Sequence, residues 1–371
     1  MRFDSTPAHT SGDEIDWVTW GVRLEGPSIF ASSSAELKAL SAVDGKKLWS
    51  VGAQGEPKNR ERLGSQINSA PAFIQKGGVS AVLTAFDIVV PGAGTTAERE
   101  AIELTAVASD TGKRLWSATV ERPEVEGGQE PVLVGSDGKT AVVQVAGSFD
   151  QAVLGISLES GRTLWTAKEF LAGFVHGGVV VGRASKGSDN SIVALNTADG
   201  SQAWSNYKDA RIGASVTPLG KGLFTAPVDP DRTVLLDAAT GKPPAGSDGT
   251  LPGDPADAQC TYDDRDTIVC TEHFGVGSER NRVSALDATS FKELWAIDSE
   301  DTTRLVPAVT TAWHGAVYAK TSNGPVILDA RTGQDKELSP GAAPSQINGY
   351  IGLGRPGPGQ GSDVVAFRPV S

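Results

Sequence analysis

One phrase recurs along the chain and constrains its fold more than any other feature. It consists of an apolar run, a polar turn that usually contains glycine, and a second short run that usually carries tryptophan, as in "LTAVASDTGKRLWS" (104–117). Seven copies occupy residues 37–50, 104–117, 154–166, 192–205, 234–246, 283–296 and 326–338, and an eighth begins within 363–371. The copies follow one another mostly at about 40–50 residues, a period typical of repeated small sheets.

Each copy predicts a β-hairpin, because Asp, Asn and Thr side chains bond to turn backbone and glycine tolerates positive φ. Two more strand-like runs precede the copies, for example residues 69–74 and 79–86 before the second one. Each unit therefore has four antiparallel strands, A to D, and the repeated phrase is its C–D hairpin. We predict an all-β fold, a β-propeller of four-stranded antiparallel blades, with eight blades favoured and seven as the alternative.

The two ends of the chain are expected to meet in one blade. The last copy lacks its own D strand, so we expect the closing strand to come from before Val18, within residues 13–17. Such closure removes open sheet edges that would otherwise promote aggregation. The predicted organisation is a polar N-terminal tail (residues 1–16) that supplies this strand, followed by a single propeller domain (residues 17–371).

The charge of the chain argues against nucleic acid as a partner, and its hydropathy argues against a membrane-spanning helix. The 371-residue chain has a net charge of −12, whereas a surface that binds duplex nucleic acid must be basic. No apolar run approaches the ~20 residues of a membrane-spanning helix, and we expect no secretory leader within residues 1–371. We expect that a leader or membrane anchor preceding residue 1 has been removed, and that the protein is extracytoplasmic: secreted, lipid-anchored or a membrane-anchored ectodomain.

The two cysteines support that compartment. If "CTYDDRDTIVC" folds as a hairpin centred on Arg265, Cys260 lies opposite Cys270. Directly opposed residues of an antiparallel pair are close enough for some disulfides, so we predict this bond, with two buried free thiols as the alternative. A disulfide would indicate an oxidising compartment.

The phrase D-x-T-G-K-x-L-W, in its variants, resembles the repeat of the pyrroloquinoline quinone (PQQ) enzymes, the quinoprotein alcohol dehydrogenase-like propellers. The resemblance implies that the repeated tryptophans dock adjacent blades; they are Trp49, Trp116, Trp165, Trp204 and Trp295. Ala245 and Glu337 stand at the matching positions of the other two copies. In length, the chain looks closest to the BamB-like members, which are non-catalytic scaffolds of the cell envelope.

No residue pattern indicates catalysis. The dehydrogenases of this family often carry adjacent cysteines and calcium ligands beside the quinone, and this chain has neither pattern. The acidic stretch 263–266 is interpreted as a solvated turn, and the four histidines lack metal-ligand spacing. We therefore expect no enzyme activity and no cofactor, with PQQ and calcium kept as the cofactors of the alternative, a small PQQ-dependent dehydrogenase.

The loops between strands indicate where a partner would bind. B–C and D–A connections emerge at one edge of an antiparallel blade, and they vary, whereas the C–D turns at the other edge are short and uniform. Variable loops on a rigid frame commonly carry binding. Six arginines fall in the predicted variable loops: Arg60, Arg62, Arg183, Arg280, Arg282 and Arg355. If several converge, they would bind an anionic small molecule or an acidic peptide.

These observations lead to one functional hypothesis and two alternatives. The hypothesis is a monomeric, non-enzymatic, extracytoplasmic binding or assembly scaffold of the cell envelope, which engages a protein or peptide partner through its variable B–C and D–A loops. Exposed outer D strands offer a second mode, capture of a partner segment by β-addition. The alternatives are the dehydrogenase and a ligand-sensing ectodomain of a membrane-anchored receptor.

Overall fold

The chain folds into short antiparallel strands throughout the part that the structure describes. The structure, a computed structural model, describes residues 1–11, 14–58, 69–148, 150–186, 189–208, 215–229, 232–274, 280–301, 303–355 and 362–370. The strands are β1 (Arg2–Phe3), β2 (His9–Thr10), β3 (Gly21–Glu25), β4 (Ser28–Ser32), β5 (Glu36–Ser41), β6 (Lys47–Gly52), β7 (Glu56–Pro57), β8 (Ala72–Lys76), β9 (Val79–Val90), β10 (Arg99–Ala108), β11 (Arg114–Glu121), β12 (Val132–Ser136), β13 (Thr140–Ala146), β14 (Gln151–Ser157), β15 (Thr163–Lys168), β16 (Phe170–His176), β17 (Val179–Lys186), β18 (Asp189–Asn196), β19 (Gln202–Asn206), β20 (Thr217–Gly220), β21 (Leu223–Asp229), β22 (Arg232–Asp237), β23 (Asp257–Tyr262), β24 (Thr267–His273), β25 (Asn281–Asp287), β26 (Glu293–Asp298), β27 (Ala308–Trp313), β28 (Ala316–Thr321), β29 (Gly324–Asp329), β30 (Asp335–Glu337), β31 (Gln346–Ile347), β32 (Gly352–Gly354), β33 (Val365–Phe367) and β34 (Pro369–Val370). Within these residues no helix is long and apolar enough to cross a membrane.

The strands pair in chain order as small meandering sheets. Across the described residues, these are sheet 1 (β3–β6), sheet 2 (β7–β11), sheet 3 (β12–β15), sheet 4 (β16–β19), sheet 5 (β20–β22), sheet 6 (β23–β26), sheet 7 (β27–β30) and sheet 8 (β31–β33 with β2). Strands β1 and β34 form a separate two-stranded pair. The predicted fold class, a β-propeller with eight blades rather than seven, is confirmed.

The middle strands are apolar because neighbouring sheets cover both of their faces. Strand β13, "TAVVQVA", is buried along nearly its whole length, whereas the outer strand β15 alternates between covered and exposed residues. In one core cluster, Ile102 and Leu104 of sheet 2 pack with Leu133, Val143 and Leu154 of sheet 3. A strand buried on both faces needs continuous apolar sequence, which accounts for the short apolar runs between turns.

Contacts divide the chain into two compact units. One comprises Ser11–Lys186 and Ala194–Ala203, and it contains sheets 1, 2 and 3. The other comprises Met1–Thr10, Gly187–Val193 and Trp204–Ser371, and it contains sheets 5 to 8. Sheet 4 has residues in both. The single domain over residues 17–371 stays a prediction.

Sheet 5 departs from the four-stranded pattern. Where a D strand is expected, Pro243 and Pro244 lack the N–H groups that a strand would donate. The segment that follows covers the edge of β22 instead: the Thr233 N–H donates to the Pro255 carbonyl, and the Leu235 N–H donates to the Gly249 carbonyl, both at 2.8 Å. This edge is therefore bonded without a regular fourth strand.

Residues near the N-terminus complete sheet 8, but not at the predicted position. Strand β2 pairs with β33, with His9 opposite Ala366 and Thr10 opposite Val365. The expected location within residues 13–17 is wrong. Among these residues, Asp16 accepts the N–H groups of Val18 and Thr19, and such bonding favours a turn over a strand.

The predicted disulfide between Cys260 and Cys270 is confirmed. The two residues are directly opposite each other in the pairing of β23 with β24. Both are buried, and they pack in a cluster with Leu219, Leu235 and Leu286. The bond therefore links two inner strands of sheet 6 inside its apolar core.

We expect the double substitution Cys260→Ala/Cys270→Ala to lower the free energy of unfolding by about 2–4 kcal/mol. Loss of the cross-link raises the conformational entropy of the unfolded chain, and loss of the two sulfur atoms leaves a cavity in the core. Urea denaturation followed by tryptophan fluorescence measures the change. Wild-type protein that is reduced in the unfolded state and alkylated should also fail to regain its original midpoint. Unfolding of both samples at the wild-type midpoint would contradict the stabilising role of the bond.

Candidate functional site

Each sheet has a hairpin edge, with its A–B and C–D turns, and a loop edge, with its B–C and D–A connections. At the hairpin edge a recurring hydrogen bond joins the two turns. The Ser109 N–H donates to the Ser80 carbonyl at 3.0 Å, and the Leu158 N–H donates to the Lys139 carbonyl at 2.8 Å. The same bond recurs at Ala42, Thr197, Ala238, Ala288 and Ala330. The repeated phrase therefore builds a closed, internally bonded edge.

Four of the repeated tryptophans bond to the next sheet at this same point. The indole Nε1 of Trp165 donates to the Thr197 carbonyl at 2.7 Å. The equivalent bonds run from Trp49 to Ser109, from Trp204 to Ala238 and from Trp295 to Ala330, at 3.2, 2.9 and 2.8 Å. The geometry supports the docking role that the family resemblance implies for these residues, which stays a prediction until it is tested by substitution.

Trp116 differs from the other four. The carbonyl that it would reach, that of Leu158, accepts a hydrogen bond from Lys76 Nζ. The same ammonium group lies 5.1 Å from the centroid of the Trp116 ring, a cation–π distance. Lys76 therefore bonds to the carbonyl that the Trp116 indole would otherwise reach, and its ammonium group also contacts the Trp116 ring.

Two constraints favour glycine in these turns: a positive φ and the close approach of a tryptophan ring from the preceding sheet. Gly112 and Gly200 have φ of 67° and 72°, and a Cβ on either would lie 2.7 Å from the ring of Trp49 or Trp165. Sheet 6 has Phe291 at this position, also at positive φ (57°). The preceding sheet 5 has Ala245 where a tryptophan is expected, so no indole occupies the space, and Phe291 packs there with the core of sheets 5 and 6.

Two of the predicted B–C loops are shorter in the structure than the sequence indicates. The B–C connection predicted over residues 183–190 is mostly strand, because β17 runs to Lys186 and β18 begins at Asp189. Arg183 is therefore not a loop residue: it lies in β17 opposite Leu171 and is 5% exposed. Likewise, β9 and β10 extend the predicted 89–100 loop into a long hairpin whose turn spans residues 91–98.

Arg280 and Arg282 lie among carboxylates of their own sheet. Arg282 donates from Nη1 to Glu272 at 2.9 Å and from Nη2 to Glu293, and Arg280 Nη2 donates to Asp298 at 2.6 Å. Burial raises the pKa of the Glu272 carboxyl above its usual value, and hydrogen bonds from Ser284 and Arg282 oppose that rise. These arginines neutralise internal acids.

Of the remaining predicted arginines, the structure describes only Arg355. Arg355 is exposed after β32, whereas Arg60 and Arg62 lie outside the described residues. Binding of an anionic ligand by the six arginines stays a prediction. The described positions of Arg183, Arg280 and Arg282 lend it no support, since one is buried in a strand and two face carboxylates.

A cleft opens at the loop edges of sheets 2 and 3, with a volume of about 1080 Å³. It is formed by Lys58, by the end of the B–C turn at 98–100, by the D–A connection 121–128, and by Asp150. Its carboxylates are Glu98, Glu100, Glu121, Glu124, Glu126 and Asp150; its cations are Lys58, Arg99 and Arg122.

Two cations of this cleft, Lys58 and Arg122, lie beside carboxylates. Lys58 Nζ lies 3.2 Å from Glu100, and Arg122 Nε lies 3.3 Å from the buried Asp87 beneath the cleft. Glu121, Glu124 and Glu126 are exposed. The cleft wall therefore has a negative potential that favours cations. The sequence alone does not reveal this cleft, because its carboxylates come from connections of different sheets.

Metal ligation finds no support in the described part of the chain: it contains no group of three or more His, Cys, Asp or Glu side chains that could hold a metal ion. In the acidic stretch 263–266, the Asp263 carboxylate accepts the N–H groups of Arg265, Asp266 and Thr267 at 2.9–3.0 Å. Asp263 therefore shapes the A–B turn of sheet 6.

Comparison with known proteins agrees with the repeat. Residues 100–247, less than half of the chain, match the family described as outer membrane protein assembly factor BamB. No curated protein matches the sequence. The chain is similar to the crystal structure of BamB from Moraxella catarrhalis, at 14% identity and a TM-score of 0.51, over 94% of this chain and 96% of that one.

The chain also has structural similarity to quinohemoprotein alcohol dehydrogenases. That from Pseudomonas putida HK5 (ADHIIG) is 11% identical, with a TM-score of 0.48 over 94% of this chain and 73% of that one. That from Comamonas testosteroni is 13% identical, with a TM-score of 0.48 over 99% and 78%. The family match and the BamB structure confirm the resemblance to PQQ-repeat propellers of the BamB-like type. At 14% identity the BamB structure shows the fold alone, not an activity.

Proposed function

We propose that this protein is a non-enzymatic, extracytoplasmic scaffold of the cell envelope, which binds a protein or peptide partner through its variable B–C and D–A loops. The observation that carries the proposal is the open cleft at the loop edges of sheets 2 and 3. The uniform hairpin edges bond to one another, whereas this cleft is built from connections that differ from sheet to sheet. The similarity to BamB and the disulfide support an envelope role.

The charge of the cleft supports a basic partner segment. The exposed Glu121, Glu124 and Glu126 favour a partner segment rich in lysine and arginine, since complementary potentials raise the association rate and suppress wrong partners. The finer proposal is therefore a basic partner segment in place of the anionic ligand suggested by the arginines. Attraction of this kind weakens as salt screens it.

The double charge reversal Glu124→Lys/Glu126→Lys is expected to reduce partner capture at least about tenfold, because like charges would then face each other across the interface. Tagged protein incubated with an envelope extract, followed by quantitative mass spectrometry of what it retains, measures the loss. Capture by the wild type should also fall in about 0.5 M salt.

The matched control is Asp44→Lys/Glu159→Lys, which reverses two exposed carboxylates at the hairpin edges of sheets 1 and 3. It changes the net charge equally and should retain the partner. Equal loss in both variants would mean a general charge effect, and unchanged capture by Glu124→Lys/Glu126→Lys would remove the cleft from the proposal.

The alternatives have their own discriminating observations. A small PQQ-dependent dehydrogenase would change the absorbance of added PQQ in the presence of calcium and reduce a dye with alcohols or sugars. A receptor ectodomain would be recognised from the gene upstream of residue 1. The repeat and the cleft favour neither of these functions over the scaffold.

A further inference from the structure

A second concavity lies at the opposite edge of the same sheets. The hairpin edges of sheets 1, 2 and 3 enclose an open groove of about 960 Å³. Its walls are the A–B turns at 25–28, 75–80 and 136–139, with Ser109 and Asp110 of the C–D turn of sheet 2. This volume is typical of a site for a small molecule. The proposed scaffold function does not use the groove.

The floor of the groove is apolar and held in place. Phe30 is 3% exposed, and its ring meets the ring of the half-buried Phe73 edge to face, with centroids 5.3 Å apart. The Arg23 guanidinium lies 5.3 Å from the centroid of Phe73 and fixes that ring from another side. Ile74 completes the floor. Such a floor offers contact to the C–H groups of a ligand.

The rim carries neutral polar groups that are available to a ligand. Within the described chain, the side chains of Ser28, Gln75, Ser80 and Ser109 line the groove and make no hydrogen bond to protein. Hydroxyl and amide groups both donate and accept, as do the hydroxyls of a polyol. The rim therefore matches a ligand that presents donors and acceptors together.

The charges around the groove do not select a charged ligand. Glu25 and Asp110 are opposed by Lys139 on the rim and by Arg23 beside the floor. Asp137 is occupied: its Oδ1 accepts the N–H groups of Lys139 and Thr140, and its Oδ2 accepts the Thr197 hydroxyl at 2.6 Å. The three carboxylates and two cations leave one net negative charge, so an anion is disfavoured and a basic peptide gains only a small electrostatic advantage.

The turns that form the walls are already fixed. The bonds from Ser109 to Ser80 and from Leu158 to Lys139 tie the A–B turns of sheets 2 and 3 to their C–D turns. These backbone groups are used internally, so a peptide could not bind here by strand addition. A preformed wall also lowers the ordering cost of binding a small ligand.

We propose that this groove binds a neutral saccharide unit, whose C–H groups contact Phe73 and whose hydroxyls bond to Gln75 and the surrounding serines. The site is independent of the protein partner. A chain with both sites would hold a carbohydrate at the hairpin edges and a protein at the loop edges of the same three sheets.

The test is binding of the labelled full chain to an array of neutral hexose and N-acetylhexosamine oligosaccharides, with acidic oligosaccharides and lysine-rich peptides printed beside them. We expect binding to neutral glycans. Gln75→Ala/Ser80→Ala, which changes only exposed side chains, should weaken it about tenfold, and Phe73→Ala should weaken it further.

The controls separate this site from the protein-binding cleft. Leu48→Ala removes an exposed apolar side chain of sheet 1 that does not line the groove, and it should leave glycan binding unchanged. Glu124→Lys/Glu126→Lys should also leave it unchanged while losing the protein partner. Binding to acidic glycans or peptides alone, no binding at millimolar neutral glycan, or unchanged binding by Gln75→Ala/Ser80→Ala would overturn the proposal.

Discussion

Trp165→Ala should lower the free energy of unfolding by about 3–5 kcal/mol, the range for large aromatic side chains lost from a core. Trp165 is 9% exposed, and its ring lies beside Gly155 of its own sheet and Gly200 of the next. Its removal leaves a cavity between two sheets and deprives the Thr197 carbonyl of its indole donor. Chemical denaturation with an intrinsic probe other than Trp165, such as far-ultraviolet circular dichroism, measures the loss.

Phenylalanine at the same position separates the two contributions. Trp165→Phe keeps most of the buried ring and loses the N–H, so it should cost about 1–2 kcal/mol. Trp116→Phe is the matched control, because Lys76 rather than the indole bonds to Leu158, and it should cost less than Trp165→Phe. A cost of less than about 1 kcal/mol for Trp165→Ala would contradict the docking role.

The second large effect is expected at the buried ion pair of sheet 6. Arg282→Met should destabilise the protein by about 3–5 kcal/mol, because Glu272, with no exposed surface, loses its cationic partner. The double variant Glu272→Met/Arg282→Met should recover much of this loss, since no unpaired charge remains. A double variant no more stable than the single one would show that packing of the arginine, not its charge, sets the cost.

The effect of Arg282→Met should depend on pH. Burial raises the pKa of the Glu272 carboxyl, and removal of the arginine raises it further. An acid whose folded pKa exceeds its unfolded pKa favours the folded state at low pH, and this contribution is lost as pH rises through the folded value. The variant should therefore be more destabilised relative to wild type at about pH 8 than at about pH 5, as paired denaturation curves would show.

The repeat made the fold predictable because each part of the phrase has a physical role. Gly112 is required by positive φ and by the Trp49 ring, so tryptophan in one copy and glycine in the next form one joint. The exception has the same cause. Sheet 5 has Ala245 in place of the tryptophan, so the turn of sheet 6 carries Phe291 where Gly112 stands in sheet 2. The disulfide was predictable for a similar reason, because hairpin symmetry about Arg265 sets the register.

The candidate site was less predictable because it depends on distances between sheets. The stretch around Arg183 reads as a loop, yet β17 and β18 continue through it, and the arginine is buried. Arg280 and Arg282 read as free cations, but their partners Asp298 and Glu272 lie 18 and 10 residues away. The carboxylates of the cleft come from the B–C turn of sheet 2, from the connection that follows sheet 2 and from the B–C connection of sheet 3, and single-sequence periodicity does not report such proximity.

Cross-linking tests most directly whether the proposed partner binds at the loop edges. Wild-type protein, bound to the envelope partner that we propose and treated with a lysine-reactive cross-linker, should give partner cross-links at Lys58 and Lys168, at the loop edges of sheets 2 and 3. It should give few at Lys46 and Lys113, which are exposed at the hairpin edges of sheets 1 and 2. Partner cross-links concentrated at Lys46 and Lys113, with Lys58 and Lys168 unmodified by the partner, would contradict the account.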